Sequence, residues 1–228
     1  MATRSLALAL SAAMCLSGGE VFAGTMLSFF RVTANAGTDV ASQFKVEVMD
    51  EAEAEATFPG IDVPTGDVFF AFTNDVGLAS SISEIYFDDG TIIGAPTIFN
   101  SIAGSTDFGA GANPSNLPGG NTVSPAFQAT STFSVDAQGN PSKGIDTALD
   151  VLGLSYDLQG SLELEDVITS LFDGSLRIGM HVRAIGPFSD SFVNVPPLDP
   201  SGDPEIPEPS TLMLALLSTS AAGFRRRR

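Results

Sequence analysis

Apolar and polar residues alternate along much of this chain. Phe44, Val46 and Val48 alternate with Gln43, Lys45 and Glu47; Leu176, Ile178, Met180, Val182 and Ala184 alternate with Arg177, Gly179, His181 and Arg183. A period of two puts successive side chains on opposite faces of an extended strand, so both stretches are predicted as half-buried strands. Further strands are predicted at 28–34, 68–73, 81–87, 91–99, 127–135 and 148–158, each bounded by Gly, Pro, Asn or Asp. Asp88-Asp89-Gly90 predicts a hairpin turn, because Gly accepts positive φ and Asp tolerates it. The acidic run from Met49 to Ala56 reads as a solvated strand or sheet edge. Only 162–172, with a Ser-x-Glu entry and Asp173-Gly174 as a stop, has helical character. Many closely spaced strands and one short helix predict a mostly β fold: an antiparallel β-sandwich, jelly-roll-like.

The two ends depart from this pattern. Residues 210–224 are uncharged and mostly apolar, apolar all round at Leu212 to Leu217 rather than on one stripe. As a helix they would rise roughly 22 Å against a hydrocarbon core of about 30 Å, a mismatch that snorkelling arginines and local bilayer thinning absorb. Arg225, Arg226, Arg227 and Arg228 follow, and such charge stays on the cytoplasmic side. At the other end Arg4 precedes an apolar run from Leu6 to Leu16, and Val21-Phe22-Ala23 ends in a small residue. That is the layout of a signal peptide cleaved between Ala23 and Gly24. The expected organisation is therefore a signal peptide at 1–23, a β-sandwich domain at 24–195, a linker at 196–209, a transmembrane helix at 210–224 and a cytoplasmic arginine cluster at 225–228.

The linker holds six prolines between Pro196 and Pro209, which makes it a semi-rigid, exposed spacer. Pro207 and Pro209 keep Ile206-Pro207-Glu208-Pro209 extended, as a strand-like protease substrate just outside the membrane.

Charge and composition narrow the function. Between Gly24 and Pro209 five basic residues face twenty-six acidic ones, a formal charge of 5 − 26 = −21. Nucleic acid and anionic membrane surfaces are poor partners for such a body. The only cysteine, Cys15, lies in the signal, where the bulky Met14 before it argues against a lipid attachment site. The exported domain thus has no disulfide and no thiolate, and its stability rests on its core.

Candidate chemistry is sparse. His181 is the one histidine; its place in the alternation puts it on the polar face beside Arg177 and Arg183, facing solvent and paired with acids across strands. No Gly-x-Ser-x-Gly elbow accompanies it, and a zinc site would need more nitrogen or sulfur ligands than the chain owns. Oxygen ligands for calcium are plentiful, with Asp88 and Asp89 as candidates, yet no spaced calcium loop is present; no cofactor is expected beyond that. Trp is absent and Tyr86 and Tyr156 are the only tyrosines, which leaves few aromatic platforms for a sugar cleft. The Gly-, Pro- and Asn-rich stretch 109–121 is predicted as a packed surface loop, and Leu117-Pro118-Gly119-Gly120 within it as a turn.

Pro207-Glu208-Pro209, an apolar segment and a terminal arginine cluster, in that order, resemble the PEP-CTERM sorting signal, although Ile206 stands where Val is commoner. The resemblance implies processing by exosortase, an integral-membrane enzyme of bacteria that make exopolysaccharide. ASSISEIYFDDGTIIG, NPSNLPGGN and GSLRIGMHVRAIG also resemble the body of uncharacterised PEP-CTERM proteins of cyanobacterial type. The expectation is an exported, non-enzymatic envelope or matrix protein, anchored transiently in the membrane and then released to the cell surface or an exopolysaccharide matrix. The alternatives are a surface binding module for glycan or calcium, and a hydrolase built on a carboxylate or His181.

Overall fold

The computed structural model describes residues 24–139 and 141–195. The predicted signal peptide, linker, sorting motif, transmembrane helix and arginine cluster lie outside the described residues, and no helix within them is long and apolar enough to cross a membrane.

Ten strands and two α-helices follow in the order β1 (Thr25–Arg31), β2 (Phe44–Asp50), α1 (Glu51–Thr57), β3 (Asp67–Asn74), β4 (Ser81–Asp89), β5 (Ile93–Ala103), β6 (Phe108–Ala110), β7 (Val135–Ala137), β8 (Val151–Leu158), α2 (Leu164–Asp173), β9 (Leu176–Ile185) and β10 (Phe188–Val195). All strand pairs are antiparallel. They form one continuous sheet in the order β5-β8-β3-β2-β1-β10-β9-β4-β7-β6, curled until it is nearly a barrel.

The curl has two identifiable joints. β1 pairs with β2 through Thr25–Leu27 and then with β10 through Ser28–Arg31, so one strand carries the chain from one half of the sheet to the other. At the opposite seam the Asn100 side chain of β5 copies a backbone ladder: its Oδ1 accepts from Phe108 N at 2.6 Å and its Nδ2 donates to Phe108 O at 2.9 Å on β6. The result is closer to a barrel than to the expected two-sheet sandwich, because no edge is left between the halves at β1.

The enclosed face holds the core. Val46 and Val48 of β2, Phe70 and Phe72 of β3, Ile85 and Phe87 of β4, Leu152, Leu154 and Tyr156 of β8 and Ile178, Met180 and Val182 of β9 all point inward. Phe87 joins the two halves, with its ring 5.3 Å from Phe70 and 4.6 Å from Tyr156. The first pair is edge-on and the second tilted, and aromatic pairs at such spacing add about 0.5–1.5 kcal/mol to the burial itself. α2 sends Val167 and Leu171 into the same core; at its start Asp166 Oδ2 accepts from Glu163 N at 2.9 Å, and its stop is Gly174 at φ 80°.

Three expectations are corrected. There are two α-helices, not one: the acidic run forms α1, because Asp50 Oδ1 accepts from Glu53 N at 2.8 Å and Ala54 is buried against the sheet. Asp88-Asp89-Gly90 is not a hairpin turn, since β4 pairs with β9 and β7 whereas β5 pairs with β8; the chain crosses between sheet halves there. The stretch 127–135 is not one strand: Phe127 packs in a cluster on the outer face and Phe133 against the inner core, so the segment passes from one side of the sheet to the other before β7 begins.

Candidate functional site

The outer face of the β7-β4-β9-β10 region carries a row of polar side chains. Ile82 and Ile85 both point inward, and the register shift between Ile82 and Glu84 marks a bulge at Ser83 that turns Glu84 outward. Across the strands Glu84 stands opposite Asp136 on one side and His181 on the other, and His181 stands opposite Ser191. The row therefore reads Asp136, Glu84, His181, Ser191.

Glu84 is its centre. Its carboxylate has no solvent exposure; Oε2 is 2.7 Å from His181 Nδ1 and Oε1 accepts from the Arg183 guanidinium. A buried carboxylate needs this much compensation. Burial first, and then repulsion from Glu84, push the Asp136 carboxyl up, with Arg183 opposing. Burial, followed by the same Glu84 charge, raises the Tyr86 phenol, whose O–H donates to Pro114 O at 3.0 Å. Ser191 Oγ is buried with no hydrogen-bond partner among the described residues.

The order acid, imidazole, hydroxyl matches that of a nucleophilic triad, but Ser191 is fully buried and so not presented to a substrate. His181 and Arg183 instead border an open depression of about 350 Å³ formed with Ala184 and the 186–189 turn. A second, larger hollow of about 660 Å³ opens where β1 leaves β2, with Phe29, Phe44, Ser28, Ser42, Asp39 and Lys45 on its walls.

His181 is paired across the strands with an acid, as expected, but it is buried rather than solvent-facing. The neighbouring outer face is roofed by the 111–130 loop, whose Leu117 and Phe127 pack on Tyr86 and Val193. This is the packed surface loop that its composition predicts; within it Gly120 N donates to Leu117 O at 2.9 Å, closing the predicted turn. Asp88 and Asp89 are both engaged by the protein. Asp88 is paired with Arg177 and accepts from Gln128 N, while Asp89 accepts from the backbone of Thr91, Ile92 and Ile93. No group of three or more His, Cys, Asp or Glu suited to a metal occurs among the described residues. Ala184 departs from the expected alternation: it is exposed at φ 58°, and Ile185 takes the inward place.

Glu84, Asp136 and Ser191 were not legible as a group. They come from strands whose pairing spans up to about a hundred residues, and alternation within one strand carries no information about its neighbour.

The family model described as the PEP-CTERM protein-sorting motif matches residues 205–228. No curated protein and no solved structure matches the chain. The protein carries a PEP-CTERM sorting domain, and that motif implies export with exosortase-dependent sorting.

Proposed function

We propose that this is a non-enzymatic cell-envelope or extracellular-matrix protein. Its signal peptide directs export; residues 210–224 hold it in the membrane with Arg225 to Arg228 on the cytoplasmic side; an exosortase-like enzyme then cuts near Pro207-Glu208-Pro209. The β domain is left at the cell surface or within exopolysaccharide. The sorting motif at 205–228 carries this reading. The fold agrees with a passive role, since its buried acids are bound within the protein: Glu84 by His181 and Arg183, and Asp190 by Thr33, Asn35 and Ala36. In a host lacking the exosortase-like enzyme, full-length protein should accumulate in the membrane fraction. Unchanged release in that host would contradict the reading.

A surface binding module is the second reading, favoured by the hollow beside β1, where Phe29 and Phe44 meet hydroxyl and charged groups in a mixture that suits a sugar. Binding on a glycan array, with and without calcium, tests it; an array without signal under both conditions removes it.

A further inference from the structure

Gly24, the residue before β1, is held more tightly than a chain end requires. A Cβ built on it would lie 2.7 Å from Glu47 Cγ, 2.8 Å from Glu47 Oε1 and 2.9 Å from Met49 Cγ. Its N–H donates to the Glu53 carboxylate of α1. Glu53 Oε2 is buried and has no hydrogen-bond partner among the described residues. Asp50 and Glu47 add like charge beside Glu53, so three carboxylates crowd together at the head of α1, with Glu47 and Glu53 against Gly24.

The other acids of α1 are engaged elsewhere. Glu51 accepts from Thr65 Oγ1 and Gly66 N, and Glu55 accepts from Val63 N. No cationic side chain reaches the three carboxylates: the ion pairs among the described residues end on Asp190, Asp75, Asp88 and Glu84. A neutral N–H is a weak partner for a partly desolvated carboxylate, whereas a charged donor makes a bond roughly twice as strong.

We propose that the α-ammonium group exposed at Gly24 by signal-peptide cleavage is a structural ligand of Glu53 and Glu47, so that removal of the leader fastens β1 to β2 and α1. The proposal rests on cleavage between Ala23 and Gly24. Hydrolysis adds water across that amide bond, leaving a carboxylate on Ala23 and an amine on Gly24 that takes up a proton. The same nitrogen then donates up to three hydrogen bonds in place of one and supplies the missing positive charge. Before cleavage the cluster has only the peptide N–H, so the folded domain gains stability at the moment it is freed from its leader.

The charged groups about the amine are Glu53 of α1 and Glu47 of β2, with Asp50 beside Glu53, all acidic. They raise its folded-state pKa above the ordinary α-amino value of about 7.7–8.0. The stabilisation is therefore complete below that ordinary value and disappears as pH rises through the folded one.

The test uses the processed protein isolated from its own host in detergent. Mass spectrometry of the N-terminus should find Gly24 first, and pH-dependent labelling of the α-amine should give a pKa about one unit or more above the ordinary value, returning towards it in Glu53→Gln. A chain starting elsewhere would overturn both the cleavage site and the capture. Gly24 first, with an amine that titrates in the ordinary range in the wild-type chain, would overturn the capture alone.

Discussion

Val195, the last residue of β10, stands opposite Ser28 on β1. The chain therefore leaves the domain beside the strand on which it entered, and on the strand that joins the two sheet halves. The fourteen residues 196–209 follow directly and span at most about 50 Å when extended. Shortening this linker by six residues, 198–203, is expected to slow processing while leaving the fold intact. Equal processing rates for the two linkers would show that reach is not limiting.

The joint at β1 depends on Phe192 of β10, whose ring meets Phe44 of β2 edge-on at 4.9 Å. Both are buried. Phe192→Ala is expected to cost about 3–5 kcal/mol, read from urea unfolding. A loss under about 1 kcal/mol would mean that the joint relaxes around the cavity.

Around Glu84 the order of effects is predicted to be unequal. Arg183→Met leaves the buried carboxylate with only His181 and should cost about 3 kcal/mol or more, whereas Glu84→Gln keeps a hydrogen-bonding acceptor and removes the buried charge, at a cost of about 1–3 kcal/mol. In the double variant the arginine has no charge left to satisfy, so its loss should be milder than the sum of the two. Additive losses would mean that the pair does not interact.

Gly179 on β9 lies under the 111–130 loop, and a Cβ there would come within 2.9 Å of Phe127 Cζ and 3.0 Å of Leu117 Cδ2. Gly179→Ala should cost about 1–3 kcal/mol and expose the loop to proteolysis before the rest of the domain. Unchanged cleavage kinetics in the loop would contradict this packing.

The pH dependence follows from five carboxyls. Burial is the first cause raising Asp67, Asp136 and Asp146 above their ordinary range, and it raises Glu53 likewise while Gly24 offers only a peptide N–H. Only Asp150 goes the other way: burial opposes, but hydrogen bonds from Ser105, Thr147 and Asp146 bring it down. A carboxyl raised by folding binds more protons folded than unfolded, so stability falls as pH rises through its folded pKa. Tm should therefore increase as pH falls from 7 towards the ordinary carboxyl range of about 4, then fall below it as pH passes through the lowered Asp150 value. A Tm that declines steadily from pH 7 downward would contradict these shifts.

Much of the fold was legible locally: β2 and β9 lie where period-two runs predict them, β3, β4 and β8 where runs bounded by Gly, Pro, Asn or Asp do, and α2 where a capped helical pattern does. The failures share a physical cause. Glu51 to Ala56 alternates like a strand, yet Asp50 at its head offers a helix cap and its residues are good helix formers. The 127–135 run also alternates, but its two phenylalanines belong on opposite sides of the sheet. His181 sits where alternation puts it; its burial comes from distant partners and a covering turn. Strand order, the β1 joint and the acid cluster around Gly24 are products of long-range pairing, which leaves no local trace.

The central claim is that the C-terminal segment is a processing signal. Mass spectrometry of the C-terminus of the mature protein from its own host tests it most directly. The account predicts chains ending near Pro207-Glu208-Pro209 with residues 210–228 gone; a mature population that still ends at Arg228 would contradict it.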